Sequence, residues 1–270
     1  MKETLMLNDG NTIPRLGLGV FQATDGQEIA AVTHALASGY RHIDTAAMYG
    51  NEVGVGQAIA DSDVDRSDIF ITTKVWNERI RNGETSASID ESLAKLSLDS
   101  VDLMLLHWPV EGRVQAWNDL IAAKADGRVK SIGVSNFLPE HLDEIVEATG
   151  VVPVLNQVEY HPWIEPVDII AAAQRHDIAI EAWSPLMRGR LASEPVLVEL
   201  AAELGRTEAQ VALRWLLQKD VVVIPKSVTP ARIESNAQIF DFELDAEAMA
   251  RMNGIERQGR IGPDPADFDF

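Results

Sequence analysis

The sequence contains no cysteine, which excludes disulfide cross-links, a thiolate nucleophile and any metal site built on cysteine. It has no run of about 20 apolar residues and no apolar leader of the signal-peptide type, so we expect a soluble cytoplasmic protein. Basic residues are scarce: 23 lysines and arginines face 42 aspartates and glutamates, for a formal net charge of −19. Such an acidic chain predicts no nucleic-acid partner and no membrane partner.

The sequence does contain enough apolar material for one large core. Of its 270 residues, 46% are hydrophobic, and this length is typical of one α/β barrel domain. No repeat, low-complexity tract or linker divides it. We therefore predict a single domain over residues 1–270.

Strand-like and helix-like segments alternate along the chain. Residues 4–7 and 12–14 flank an Asp9-Gly10 turn and predict a β-hairpin. Eight short apolar runs follow, as expected for strands covered on both faces. These predicted strands are residues 16–19, 42–44, 70–74, 101–107, 129–135, 153–159, 179–183 and 221–225.

Segments with helical spacing connect these runs. Thr207 and Gln210 form a capping-box pair at the start of one of them. The predicted helices are residues 27–38, 52–61, 85–96, 114–125, 139–148, 166–176, 195–204, 207–218, a helix starting near residue 233, and 245–252.

This order of elements predicts an α/β fold, a (β/α)8 TIM barrel with an N-terminal β-hairpin plug. The alternative is an open doubly wound sheet. The segment after the first strand, residues 17–22, lacks the third glycine of a dinucleotide-binding fingerprint, and this favours the barrel. We expect the irregular tail, residues 262–270, on the surface or over the barrel mouth.

Polar residues end three neighbouring predicted strands. Asp44, Lys74 and His107 stand at these ends, and Tyr49 follows Asp44 by five positions. Alone, each has an ordinary explanation: a loop cap, a solvated or Schiff-base lysine, a buried histidine, and packing at the mouth. Together at one end of a parallel barrel they form a set that can deliver a proton to a carbonyl. The other histidines show no metal-ligand spacing, so we expect no metal site.

Several motifs in fixed order resemble the aldo-keto reductases, and most closely the bacterial 2,5-diketo-D-gluconate reductase branch. The matching runs are residues 39–46 (GYRHIDTA), 49–52 (YGNE), 106–109 (LHWP), 132–137 (IGVSNF), 156–157 (NQ) and 224–227 (IPKS). The resemblance implies a barrel that binds NADPH across its C-terminal mouth and reduces aldehydes or ketones. It also implies that Asp44, Tyr49, Lys74 and His107 are the catalytic residues.

Elementary electrostatics suggests how these residues would work. A phenol with a pKa of about 10 is a poor acid at neutral pH. An ammonium about 4 Å away would stabilise the phenolate by up to roughly 4 kcal/mol, so we expect Lys74 to lower the pKa of Tyr49, by some three units before solvent losses. Asp44 would keep Lys74 charged, and His107 would orient the substrate carbonyl.

The resemblance also implies a cofactor site. Ser135, Asn136 and Gln157 would bind the nicotinamide carboxamide, and Trp183 would stack on the ring. Ser184 and Leu186 would carry the pyrophosphate. Lys226, Ser227 and Arg232 would bind the 2′-phosphate, and Asn236 the adenine. Many relatives have a glutamate where this chain has Ser235, and this departure leaves the adenine contacts open.

We predict that five residues wall the substrate pocket: Phe21, Met48, Trp76, Trp108 and Met187. The loop over residues 110–115 and the tail are short, which favours an open pocket for small dicarbonyls, keto acids or sugar-derived ketones. We expect a monomer acting on a small carbonyl compound. Two other functions stay open: a cofactor-binding redox sensor with little turnover, and a lyase with Lys74 as Schiff base.

Overall fold

The computed structural model describes residues 3–270, and in it eight parallel strands form one sheet that curls into a barrel. The first and last strands of the sheet are joined by parallel bridges between Leu16 and Val223 and between Gly19 and Lys226. The Gly17 amide donates to the Val223 carbonyl at 2.9 Å across this seam. The predicted (β/α)8 fold is confirmed.

A two-stranded antiparallel hairpin, β1–β2, precedes the barrel strands β3–β10, which pair in sequence order. The strands are β1 Thr4–Met6, β2 Thr12–Pro14, β3 Leu18–Gly19, β4 His42–Asp44, β5 Phe70–Val75, β6 Val101–Leu106, β7 Val129–Ser135, β8 Leu155–Glu159, β9 Ala179–Trp183 and β10 Val222–Val223.

Helices connect these strands on the outside of the barrel. They are α1 Gln27–Ala37, α2 Glu52–Ala60, α3 Asn77–Arg81, α4 Thr85–Leu96, α5 Arg113–Ala125, α6 Pro139–Thr149, α7 Val167–Arg175, α8 Pro195–Leu204, α9 Glu208–Leu217, α10 Pro230–Ala237 and α11 Ala246–Asn253. None of these helices, within residues 3–270, is both long and apolar enough to cross a membrane.

The predicted elements are all present, with changes at their ends. The first and last barrel strands are shorter than expected because they meet through isolated bridges at the seam. The short helix α3 was missed, since its five residues are too few to show helical periodicity. The capping box at α9 is confirmed: the Gln210 amide donates to Thr207 Oγ1 at 3.2 Å, and the Thr207 amide to Gln210 Oε1 at 2.9 Å.

The hairpin closes one end of the barrel. Ile13 is fully buried and belongs to the same apolar cluster as Phe70, Leu103, Leu155 and Val222. This cluster fills the barrel interior near the start of the strands. A second, larger cluster lies between the sheet and the helices. The other end of the barrel interior is therefore left for polar groups.

His42 gives the fold a defined response to acid. It is completely buried, and burial lowers its pKa to about 4 despite the nearby Asp44. An unfolded histidine titrates near pH 6.5, so the unfolded state binds this proton first and stability falls as the pH drops from about 6.5 to about 4. The expected loss from this one group is roughly 3 kcal/mol.

Urea denaturation across that pH range, compared with a His42→Gln variant, isolates this contribution. The variant should lack that part of the loss. A His42 imidazole that titrates near pH 6.5 in the folded protein, observed by NMR, would contradict the assignment.

Candidate active site

Along each strand, every second residue faces the barrel interior. These inward-facing residues are apolar near the start of the strand and polar near its end. On β6 and its continuation, Leu103 and Leu105 fill the interior, and His107 comes next on the same face. On β5, Phe70 lies in the apolar cluster and Lys74 lies four residues further along. The strands that build the core thus also deliver the polar groups to its open end.

A buried ion pair stands at the centre of the site. Lys74 Nζ lies 2.8 Å from both carboxylate oxygens of Asp44 and donates to the Thr45 carbonyl at 2.9 Å. Lys74 is fully buried and Asp44 is 2% exposed. Burial alone would lower the pKa of Lys74, but Asp44 and Tyr49 together raise it, so the ammonium is charged.

Tyr49 lies on a 3-10 turn, Ala47–Tyr49, that follows β4. Its hydroxyl is 3.5 Å from Lys74 Nζ. The Asn51 side chain holds this loop, because it accepts from Thr45 Oγ1 at 2.7 Å and donates to the Val20 carbonyl at 2.9 Å. The sequence predicted that Tyr49 and Lys74 would lie close together, but it did not indicate the role of Asn51.

The predicted direction of the Tyr49 pKa is wrong. Burial raises the pKa of Tyr49 above 10, and this outweighs the lowering effect of Lys74. Asp44 and the buried Glu181 add to the rise. The low-dielectric surroundings of the buried phenol disfavour a phenolate more strongly than the Lys74 charge favours it. The phenol is therefore neutral and keeps its proton.

His107 is neutral as well. Burial and the Lys74 charge hold the pKa of its imidazole well below 6.5. Its Nδ1 atom is buried and has no hydrogen-bond partner among residues 3–270. The ring lies edge-on to Tyr49 at 5.8 Å and to Trp76 at 5.1 Å between centroids. A neutral imidazole next to the phenol has one N–H group that can donate a hydrogen bond to a carbonyl oxygen.

The predicted nicotinamide residues form one hydrogen-bonded network. Gln157 Nε2 donates to Asp44 Oδ2 at 2.9 Å, and Ser135 Oγ donates to the Gln157 carbonyl at 2.8 Å. Asn136 Nδ2 donates to the His107 carbonyl at 3.1 Å, and its Oδ1 accepts from Trp183 Nε1 at 2.8 Å. This network ties the Trp183 ring to the catalytic candidates.

Glu181 is a buried acid that the sequence analysis missed. Its Cα pairs with that of Gln157 across β8 and β9, and it is fully buried. Both carboxyl oxygens are without a hydrogen-bond partner in the described chain. Burial and the Asp44 charge hold its pKa well above 4.5, which favours the protonated form of this acid. Its position two residues before Trp183, on the same face of β9, was the available signal.

A cavity of about 480 Å³ opens over these groups. Phe21 and Met48 stand at its rim, 38% and 43% exposed, and Trp76 and Trp108 line its wall. Its full lining is Gly19, Phe21, Asp44, Met48, Tyr49, Trp76, His107, Trp108, Ser135, Asn136, Gln157, Trp183, Ser184, Arg188, Ile224, Lys226, Pro263 and Phe270.

The loop after β9 differs from its prediction. Met187 is fully buried in the outer core and does not line the cavity, and Leu186 packs against the same core. Arg188, exposed and with a left-handed φ of 49°, lines the cavity instead. A backbone turn at residues 187 and 188 reverses which side chain faces the mouth, and such a turn has no periodic sequence signal.

The tail covers part of the mouth. Phe270 stacks on Trp76 with ring centroids 5.7 Å apart, and Phe268 lies 4.8 Å from the Trp108 ring. Asn77 and Arg81 of α3 donate to the main-chain oxygen of Phe270 at 3.1 and 2.9 Å. Of the two positions expected for the tail, the structure shows the mouth.

The remaining predicted cofactor residues lie beside β10. Lys226 is exposed and reaches the cavity, Ser227 is buried and its Oγ accepts from the Thr229 amide, and Arg232 and Asn236 lie on α10. Within residues 3–270, no carboxylate pairs with Lys226 or Arg232. No group of three or more His, Asp or Glu in this part of the chain is placed to hold a metal ion.

Comparison with known proteins identifies the family. The model of the Aldo/keto reductase family matches residues 15–257. This chain belongs to the aldo/keto reductase family. The resemblance predicted from the motifs is thereby confirmed.

Relatives of this aldo/keto reductase span its whole length. Methylglyoxal reductase DkgA of Escherichia coli strain K12 is 44% identical over 269 residues, covering 98% of this chain and 97% of that protein. The crystal structure of an aldo/keto reductase from Brucella melitensis is 46% identical, with a TM-score of 0.91, over 94% of this chain and 99% of that one. Gox0644, crystallised as a point mutant in complex with NADPH, is 41% identical, with a TM-score of 0.94 and full coverage of both chains.

Breaking the Lys74–Asp44 ion pair of this aldo/keto reductase should lower its free energy of unfolding. Lys74→Met leaves the buried Asp44 carboxylate without its cation, so we expect a loss of about 3–5 kcal/mol in the free energy of unfolding. Urea denaturation measures this loss. The double variant Asp44→Asn with Lys74→Met should regain much of it, because no charge is then buried unpaired. A single variant as stable as the wild type would refute the pairing.

Proposed function

We propose that this protein reduces aldehydes and ketones to alcohols with NADPH, and that Tyr49 supplies the proton. The observation that carries the proposal is the position of the Tyr49 hydroxyl, 3.5 Å from a charged and buried Lys74 and beside the neutral His107. Polar groups of this kind, gathered at the carboxyl ends of barrel strands, support a catalytic role.

The chemistry follows from the charges. Bound NADPH would supply the hydride to the carbonyl carbon. As negative charge grows on the carbonyl oxygen, Tyr49 donates its proton there and becomes a phenolate. Lys74 stabilises that phenolate, and Asp44 keeps Lys74 protonated. His107 hydrogen-bonds the same oxygen and orients the carbonyl.

The residues beside the cavity fit NADPH. The Trp183 ring faces the cavity, and its indole nitrogen is fixed by Asn136, as a stacking platform for the nicotinamide requires. Ser135, Asn136 and Gln157 line the same space; to bind the carboxamide they would exchange part of their present bonds to one another. Lys226 and Arg232 are exposed cations that suit the 2′-phosphate.

The two alternative functions are less well supported. A Schiff-base lyase needs a neutral, accessible amine, but Lys74 is fully buried and its pKa is raised. A redox sensor would bind the cofactor with little turnover, and the complete set of Asp44, Tyr49, Lys74 and His107 favours an enzyme. Oxidation of NADPH with a panel of carbonyl compounds distinguishes the sensor from the reductase.

The cavity favours small carbonyl substrates. Its walls are largely aromatic, and the tail narrows it through Phe270, which stacks on Trp76. Methylglyoxal, the substrate named for DkgA, is a small dicarbonyl of suitable size. We propose also that residues 1–270 act as one domain, that the protein is a monomer, and that it is cytoplasmic.

Tyr49→Phe tests the proton donor. The ring packing is kept and only the hydroxyl is lost, so NADPH should bind as in the wild type while kcat falls by about 10²- to 10⁴-fold. Cofactor titration by fluorescence and steady-state oxidation of NADPH with methylglyoxal give the two quantities. Turnover close to that of the wild type would rule out this role for Tyr49.

Lys226→Ala tests the cofactor preference. Loss of one cation at the 2′-phosphate should raise the Kd for NADPH about tenfold, which corresponds to about 1.4 kcal/mol, and should leave the Kd for NADH nearly unchanged. Arg232→Ala is the matched variant at the neighbouring cation. Equal weakening of both cofactors would show that Lys226 does not contact the 2′-phosphate.

A further inference from the structure

The tail reaches the barrel mouth along the loop that follows β8. After α11, the Gly259 amide donates to the Trp163 carbonyl at 3.1 Å, and Arg257 pairs with Glu165 at 2.7 Å. The next residues cross above the end of β9. This path brings the main chain of the tail next to the cavity.

Glu159, at the end of β8, holds the tail at that crossing. Its Oε1 accepts from the amide of Ile261 at 2.6 Å and from the amide of Gly262 at 3.0 Å. His161 Nε2 lies 3.1 Å from the same oxygen. Glu159 is fully buried, and although burial alone would raise its pKa, these hydrogen bonds lower it below 4.5. A buried carboxylate therefore binds two successive amides of the tail.

Gly262 lies against the Trp183 ring. A Cβ atom added there would come within 2.3 Å of Trp183 Cη2 and 2.8 Å of Cζ3. The backbone φ of Gly262 is not left-handed, so glycine is needed for space and not for conformation. The tail main chain thus touches the benzo edge of the indole.

The opposite edge of the same ring is fixed by Asn136. The 2.8 Å hydrogen bond from Trp183 Nε1 to Asn136 Oδ1 sets the pyrrole edge. With Gly262 at the benzo edge, the ring is held on two sides and one face remains toward the cavity. Only the second contact depends on the tail.

We propose that Glu159 is a positioning residue of the cofactor site, which through its bonds to residues 261 and 262 holds Gly262 against Trp183 and fixes the ring that receives the nicotinamide. The proposal rests on the proposed function for the identity of the cofactor. It assigns a role to a buried acid that does not line the cavity itself.

Three variants test this chain of contacts. Glu159→Leu removes the acceptor, Glu159→Gln keeps one acceptor oxygen, and Gly262→Ala adds the clashing methyl group without touching Glu159. We expect Glu159→Leu and Gly262→Ala each to raise the Kd for NADPH about tenfold, equivalent to about 1.4 kcal/mol, and Glu159→Gln to stay closer to the wild type. The double variant Glu159→Leu with Gly262→Ala should have a Kd for NADPH little higher than that of either single variant, because both substitutions act on one contact.

Arg257→Ala is the control. It releases the tail at its upstream anchor but leaves Glu159, Gly262 and Trp183 unchanged, so the Kd for NADPH should not change. If Arg257→Ala weakens NADPH as much as Glu159→Leu, general loosening of the tail is the cause and the proposal is overturned. A folded Glu159→Leu protein with wild-type affinity would overturn it as well.

A readout without cofactor completes the test. In protein labelled with 5-fluorotryptophan, the ¹⁹F signal of Trp183, assigned with Trp183→Phe, should shift or broaden in Glu159→Leu and Gly262→Ala but not in Arg257→Ala. If Glu159→Leu does not fold, an unchanged signal in Gly262→Ala decides against the proposal. Failure of the wild type to bind NADPH would reject the proposed function, whereas this signal would still decide whether Glu159 positions the ring.

Discussion

The buried pair of Lys74 and Asp44 is the interaction on which the site depends. Removing two charges from water is costly, and the cost is offset only where the geometry is close and the remaining hydrogen-bonding capacity is used. Here the ammonium lies 2.8 Å from both carboxylate oxygens and also donates to the Thr45 carbonyl. Apart from these three contacts, the ammonium lies near the Tyr49 hydroxyl, at 3.5 Å. The pair therefore fixes a positive charge where a phenolate can form.

The barrel makes this pair possible by separating its interior into two zones. Near the hairpin, the inward residues are apolar, and Ile13 closes that end. Toward the carboxyl ends of the strands, the same inward rows present Asp44, Lys74 and Gln157. Burial of the apolar zone supplies the stability that a buried polar zone needs. Closure through the bridges between β3 and β10 keeps both zones in register.

Sequence reasoning reached the fold and the ion pair because both follow from local patterns. A polar residue at the end of an apolar run marks the open end of a barrel strand, and this placed Asp44, Lys74 and His107. The missed features depend on elements far apart in sequence. The pKa of Tyr49 reflects burial by many groups and the Glu181 carboxyl, and the contact of Gly262 with Trp183 joins the tail to β9. Neither a pKa that many groups determine nor a contact between distant segments produces a periodic pattern within one segment.

The charges of the protein are arranged in two separate sets. Inside the mouth, the charges of Lys74 and Asp44 cancel, burial keeps His107 neutral, and burial favours the protonated form of Glu181, so the floor of the cavity carries little net charge. The cations suited to phosphate groups, Lys226 and Arg232, are exposed at the edge of the site. The net charge of −19 is spread over the surface, where salt screens it within about 8 Å. An acidic protein can therefore bind an anionic cofactor, because exposed cations beside the cavity attract it locally while salt screens carboxylates that lie further away than this distance.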